Sequence, residues 1–430
     1  MGTMIIKNFK RLATNQDKKL ALSIVEEGLA SALPNSALER IVHPTFLQIG
    51  RKRTPFKKYR HVYVVAIGKS ADLMTKVVNS RTKIDGGIVV IPAKMTPVIH
   101  GGKFTVMQSS HPIPTEKSIT AARKVSGFLK SMRSTDLVIF LISGGASSLV
   151  SLPDGISLKN KQLVTSLLLK SGATIREINC VRKHLSQVKG GRLVESLPCR
   201  GISLVMSDVI GDDLSVIASG ITYCDPSTFS NAKKILSKYH LTNLVPKSVL
   251  NRIVLGTKGM IPETPKKPRI ENYVISTNKD CIDTMKSKAK KLGFETKTIW
   301  PLDGDVRNAA VKISKHFSAH SNSCLVFGGE TTVTVKGSGH GGRNQELILN
   351  LLKKLQNNKE KIVVVSVGTD GVDGNTCVAG AIADSTMPTK PIDAYLKKNN
   401  SYCYFKKYGG SIITGYTHTN LMDVGLVLRK

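Results

Sequence analysis

Two stretches gather the residue types that handle charged oxygen. "LISGGASSL", Leu141 to Leu149, ends an apolar run in Ser143, Gly144, Gly145, Ala146, Ser147 and Ser148. Bare N–H groups and hydroxyls where a strand turns into a helix suit a phosphate or carboxylate. A tight turn needing positive φ is the structural alternative. "LVFGGETTVTVKGSGHGGRNQELILNLL", Leu325 to Leu352, carries Gly329 and Glu330, then Gly337, Gly339, Gly341 and Gly342, and then Arg343 at the start of an amphipathic helix. Glycines there could let the backbone close over phosphates and hold Arg343 over transferring charge, because its planar fork engages phosphate bidentately. The same run contains G-x-G-x-x-G, but Asp370 lies too far on for the acidic partner of a dinucleotide site, and Thr331 to Val335 alternates like an antiparallel strand.

Further motifs close other strands. "VAIGKS" places Lys69 at a strand–helix turn, where it could meet a phosphate as a point charge; Tyr63 stands where a P-loop requires glycine. Asp208 ends the run 202–208 and Asp212 follows it, and "GTDGVDG" sets Asp370 and Asp373 three apart. Such carboxylates suit Mg²⁺, which takes one or two of them with phosphate and water oxygens. No Glu completes a calcium loop counted from Asp370. In "SSHPIPTEKS", Thr115 is a helix N-cap, and His111 is either a turn residue or a substrate contact. His316 and His320 stand four apart on a helical pattern, but Phe317 rules out H-E-x-x-H.

Strand-like runs at 61–68, 86–92, 104–110, 136–143, 202–208, 272–278, 295–300, 323–329 and 361–368, several of them continuous and rich in Val and Ile, alternate with helical patterns at 18–33, 115–132, 158–170, 279–292, 303–316 and 342–355. This is α/β patterning with buried parallel strands, in which ligands bind beyond the strands' carboxyl ends. At 430 residues the chain exceeds a single core. Three prolines in 257–273 mark a break, giving domains 1–260 and 261–430.

Seven scattered cysteines without C-x-x-C suit a reducing cytoplasm and argue against a disulfide framework or a structural zinc site. No apolar run reaches membrane-spanning length, no secretory signal is present, and Ile6 fails the myristoylation pattern. The net charge is +33, densest at 51–60 with six basic residues in ten. Such a field attracts anions. Aromatics at 5% are poor material for base stacking, so a lysine-rich solvated surface is expected rather than a nucleic-acid partner.

Taken in order, "VAIGKSADLM", "SSHPIPTEKS", "LISGGASSLVSLP", "VRKHLSQVKGGRL", "SDVIGDDLSVIASGITYCDPST", "GGETTVTVKGSGHGGRNQEL", "GTDGVDG" and "TGYTHTNLMD" resemble the glycerate 2-kinase family whose C-terminal half is called the MOFRL domain; they span residues 64–423. The resemblance implies an N-terminal Rossmann-like, mostly parallel sheet, a C-terminal α/β domain with a mixed sheet, and an active site in the interdomain cleft. It implies ATP- and Mg²⁺-dependent phosphorylation of D-glycerate to 2-phosphoglycerate. Lys69 and Arg343 occupy the positions of the proposed catalytic pair. ATP would lie on residues 143–148, Gly329, Glu330, Gly341 and Gly342, with Mg²⁺ on Asp208, Asp212, Asp370 or Asp373. Arg182, Lys183, Arg192 or His111 would bind the acceptor. A homodimer is compatible with this picture. Four departures bear on substrate range: Thr115 for Asp, Ile221 and Tyr416 for prolines, and His418 for glycine. The alternatives are a nucleotide-dependent oxidoreductase of hydroxy acids and a basic anion- or nucleic-acid-binding protein.

Overall fold

Val62–Ile67, Gly86–Pro92, Leu137–Ile142 and Arg200–Met206 are buried almost throughout, as runs of β-branched and aliphatic residues must be when helices cover both faces of a sheet. In the computed structural model, which describes residues 4–317, 320–355 and 361–430, the chain divides into two units. One comprises Pro34–Ile275 and the other Met1–Leu33 with Ser276–Lys430. All seven cysteines are free thiols.

The first unit holds a sheet in the spatial order Phe104–Ser109, Gly86–Pro92, Val62–Ile67, Leu137–Ile142, Arg200–Met206, Glu271–Ser276. The first five strands pair in parallel. Val62–Ile67 connects through the helix Ala71–Arg81 to its neighbour on one side, while Leu137–Ile142 lies on the other. The strand order therefore reverses between these two central strands, and in open α/β sheets ligands bind at the carboxyl ends beside such a switch point. Four helices, Leu158–Lys170, Ile175–His184, Phe229–Lys238 and Lys247–Thr257, share a separate apolar cluster that includes Val164, Leu168, Val181, Leu236 and Ile253.

The second unit's sheet is mixed: Glu295–Asp305 pairs in parallel with Ser323–Thr332, which pairs antiparallel with Asp423–Arg429. Asp423–Arg429 in turn runs antiparallel to Ile362–Gly368, followed by Gly380–Asp384 and Ser411–Ile412. The helix Arg343–Leu355 lays Leu347, Leu351 and Leu355 into this unit's core. The N-terminal helix Gln16–Ala32 packs on Asn278–Lys291 so closely that a Cβ on Gly28 would stand 2.6 Å from Met285 Sδ.

Several expectations change in detail. Residues 1–33 group with the C-terminal unit, and 261–275 group with the first. The proline-rich segment is anchored to the first unit, because Glu263 Oε1 accepts from Phe229 N at 2.9 Å and Thr264 Oγ1 donates to Asp225 at 3.0 Å. Thr331 to Val335 is no separate strand, since the preceding one continues in register to Thr332. The helix ending at His316 leaves His320 outside it. Residues 1–3, which include part of the tested myristoylation pattern, lie outside the described residues.

Candidate active site

At the switch point of the first unit's sheet, the ends of the two central strands interlock. Gly68 takes φ +137°, and a Cβ there would lie 2.1 Å from Ser143 Oγ, so only glycine fits. Lys69 N donates to Gly144 O at 2.9 Å and Ser70 N donates to Ser143 Oγ at 3.0 Å. Gly145 is left-handed as well; a Cβ on it would meet His111 Cδ2 at 3.0 Å and Lys69 Cγ at 3.7 Å. Lys69, His111 and the Ser143–Ser148 turn thus converge where a parallel sheet presents ligands.

The hydroxyls of that turn are engaged within the protein. Ser143 Oγ accepts from Ser70, and Ser148 Oγ donates to Gly145 O at 3.0 Å. Ser147 Oγ accepts from Arg182 Nη2 at 2.7 Å and Lys189 Nζ at 2.9 Å, and lies 2.8 Å from Ser219 Oγ. Ser219 donates its own proton to Asn179 Oδ1, so Ser147 must donate to Ser219.

The cations of "VRKHLSQVKGGR" separate by environment. Lys183 is buried against Asp225, with Nζ 3.2 Å from Oδ1. Burial opposes ionisation of Asp225, yet Lys183 and Ser227 hold its carboxyl below the usual range. Arg192 donates to Pro262 O at 2.8 Å. Arg182, with its fork on Ser147 and Asn179, has no carboxylate within ion-pair distance among the described residues. Asp208 follows the strand Arg200–Met206 and is half-buried; Asp212 sits in a left-handed turn at φ 53°.

In the second unit, one sheet edge brings together the end of Ser323–Thr332, the end of Ile362–Gly368 and the start of Asp423–Arg429. Arg343, the first residue of its helix, spans this edge. Its Nε and Nη2 bind Asp423 at 2.5 and 3.0 Å, and its Nη1 binds Glu330 at 2.8 Å. Three of its five N–H bonds are used, which leaves two for a ligand. Burial works against the charge, but Asp423 and Glu330 prevail and raise the guanidinium's pKa above its ordinary value. Asn344 Nδ2 adds a bond to Asp423 Oδ1 at 3.0 Å and receives Ser366 Oγ on its own oxygen.

The glycines before Arg343 face the protein itself. Cβ atoms on Gly337 and Gly339 would lie 2.4 and 2.5 Å from Lys398 O, one on Gly341 2.2 Å from Ser401 Oγ, and one on Gly342 2.3 Å from Asp373 Cγ. They allow close approach to residues 398–401 and to Asp373, a packing role that accounts for the run without a dinucleotide. Gly329, at φ +144°, similarly abuts Leu302 O at 2.2 Å.

Asp373 caps the helix: its oxygens accept from Asn344 N and Gln345 N, both at 3.0 Å, and from the two side-chain amides at 3.3 and 2.9 Å. Burial pushes its carboxyl up to about 6 against the pull of those donors. With its lone pairs so occupied, Asp373 does not fit a Mg²⁺ ligand. Asp370 fits better, since its Oδ1 and that of Asp423 both border Gly368, at 3.1 and 3.4 Å from a Cβ placed there. Among the described residues no cluster of three or more acidic, His or Cys side chains forms a metal cage. The donors on this edge suit an ion that brings phosphate oxygens with it.

The departures from the family pattern also acquire reasons. Thr115 forms a capping box with Ser118, so the cap function of an Asp is kept. Ile221 is buried in the first unit's core. His418 takes φ 55°, a backbone that glycine adopts freely. Tyr416 is exposed and lines, with Tyr402 and His340, a cavity of about 680 Å³ in the second unit.

Fold and sheet topology define a two-unit α/β protein, with a mostly parallel sheet in one unit and a mixed sheet in the other. A model of a domain of unknown function, DUF4147, matches residues 20–254, and the MOFRL family model matches residues 323–423. A D-glycerate 2-kinase of Thermotoga maritima is 39% identical over 96% of this chain and 98% of its own, and a glycerate 2-kinase of Pyrococcus horikoshii 37% identical over 96% and 97%. A crystal structure of glycerate kinase from Thermotoga maritima superposes with a TM-score of 0.80 at 38% identity, covering 96% of this chain and 99% of that one. A protein of Agrobacterium vitis named as a putative hydroxypyruvate reductase is 35% identical over 85% of this chain and 86% of its own. The chain belongs to the glycerate kinase family. Among the described residues no helix is long and apolar enough to cross a membrane.

Proposed function

We propose that this chain is an ATP-dependent glycerate 2-kinase, transferring the γ-phosphoryl of ATP to the 2-hydroxyl of D-glycerate. The observation that carries the reading is the end-to-end similarity to glycerate kinases of a chain whose Lys69 stands at the switch point of its parallel sheet. Lys69 and Arg343, one from each unit, would act on the same phosphoryl group. Charge spreads over that group's oxygens in a loose transition state, so fixed cations lower the barrier chiefly by position and electrostatics. The 143–148 turn and the Gly329–Glu330 and Gly341–Gly342 segments would border ATP. Asp370, Asp208 or Asp212 would hold Mg²⁺, which when bound would offset phosphate charge. The acceptor would lie near His111 and Arg182. The setting is cytoplasmic, and assembly as a homodimer is compatible with it.

Phosphorus NMR of the product formed from ATP, Mg²⁺ and D-glycerate tests the regiochemistry: a 2-phosphoglycerate resonance is expected, and 3-phosphoglycerate alone would refute it. The relative from Agrobacterium vitis motivates a second reading, reduction of hydroxypyruvate by a nicotinamide cofactor. The packing of Gly337, Gly339 and Gly342 against the protein's own atoms counts against it. NADH or NADPH oxidation on addition of hydroxypyruvate would support that reading instead.

A further inference from the structure

The helix Leu158–Lys170 buries three residues on one stripe: Lys161, Val164 and Leu168. Positions at i, i+3 and i+7 are core positions, and at one of them this helix carries an ammonium instead of an aliphatic group. Lys161 is 3% exposed, and its Nζ has no hydrogen-bond partner among the described residues. Lys189 is fully buried, with its Nζ on the carbonyl and hydroxyl of Ser147. Arg182 shares that hydroxyl.

None of these three cations has a carboxylate within ion-pair distance among the described residues. The nearby acids are committed elsewhere: Asp225 to Lys183, and Asp154 to Arg252. Burial and the charge of Arg182 push the Lys161 ammonium down to about 7, and the same two causes bring Lys189 well below its ordinary value. Three like charges out of water without a counter-charge are costly, and a neutral Lys161 amine would still lack a partner. An anion entering beside them removes both costs. Gly145, Ser147 and Arg182 are only half-buried, which gives an anion a route toward the two buried lysines.

We propose that Lys161, Arg182 and Lys189 form a three-cation well over Ser147 that binds the carboxylate of the acceptor substrate. The assignment rests on the kinase reading for the identity of the anion, and on the geometry alone for the existence of the well. Lys189 and Arg182 are held by Ser147 and preorganised. Lys161 is the member whose donors await the ligand. The well adjoins the turn that carries Gly145, against which Lys69 and His111 stand. A carboxylate held here would therefore orient its hydroxyl-bearing carbons toward Lys69.

The test compares wild type with Lys161→Met and Lys161→Gln, each checked for native circular dichroism, in two assays on the full chain. In steady-state kinetics, KM for D-glycerate should rise 10- to 100-fold in both variants with kcat changed only a few-fold, and the preference for glycerate over uncharged glycerol should collapse. An unchanged KM in a folded variant overturns the proposal and leaves the kinase reading standing. If wild type does not phosphorylate glycerate, the kinase reading fails, and thermal shift with inorganic phosphate decides the well. Stabilisation present in wild type and lost in the variants supports it; equal shifts in all three, or none, overturn it.

Discussion

Arg343 and Asp423 meet through two nearly parallel contacts, Nε to Oδ2 at 2.5 Å and Nη2 to Oδ1 at 3.0 Å, at the start of a helix and the start of a strand 80 residues apart. A fork-on-carboxylate pair fixes the plane of the guanidinium as well as its position. Replacing Asp423 by Asn keeps the size and removes the charge, so the fork can swing toward Glu330. We expect kcat for phosphoryl transfer to fall roughly tenfold with KM for ATP little changed, as when a preorganised donor is loosened but not deleted. Steady-state ADP release reads this, and full activity in Asp423→Asn would show that the pair does not position Arg343.

Asp373 is assigned to the fold by its four amide donors, despite sitting in a loop whose spacing suits a metal. Asp373→Ala leaves buried donors without partners and should destabilise by roughly 2–4 kcal/mol, visible as a lower Tm. Were Asp373 a Mg²⁺ ligand instead, Tm would hold and the Mg²⁺ concentration for half-maximal activity would rise.

Gly68 tests the interlocked strand ends. Its φ of +137° and the 2.1 Å approach to Ser143 Oγ leave no room for a methyl. Gly68→Ala should cost about 2 kcal/mol or more and displace Lys69, lowering both Tm and turnover. A variant with wild-type values of both would contradict this close approach.

Lys161 carries a pH signature. Its folded pKa of about 7 lies below the ordinary 10.5, chiefly because burial opposes its charge, with Arg182 adding to that and Asp154 favouring the charge. Between these values the unfolded chain binds the extra proton, so stability rises with pH across that window; below pH about 7 the whole penalty applies. Lys161→Met removes the penalty. Its Tm should exceed that of wild type by on the order of 5 °C at pH 6, and the gap should close toward pH 10. A gap independent of pH would mean that Lys161 is not desolvated in the folded protein.

What the sequence makes legible follows from how local its signals are. The buried parallel strands declare themselves as unbroken Val and Ile runs, and "IGKS" and "SGGASS" mark the ends of the two strands flanking the switch point. The glycines at 337–342 have local letters but a distant cause: the segment 398–401 they pack against is some sixty residues on. Lys161 reads as a solvated lysine until the 161, 164, 168 stripe is counted against the helix period. Asp423 closes the quoted "TGYTHTNLMD", yet nothing nearby says that it will meet Arg343. The proline-rich break marks a real loop, but its hydrogen bonds to Phe229 and Asp225 hold it to the first unit, so the boundary falls later, at 275.

Under the kinase reading proposed above, two cations, Lys69 and Arg343, act on one migrating phosphoryl group. A double-mutant cycle in glycerate-dependent ADP release, using Lys69→Met, Arg343→Gln and the pair, measures this most directly. The account predicts turnover that requires D-glycerate in wild type, losses on the order of 10²–10³ in kcat for each single variant, and a double variant scarcely worse than either. Losses that multiply independently, or ADP release indifferent to glycerate, would contradict it.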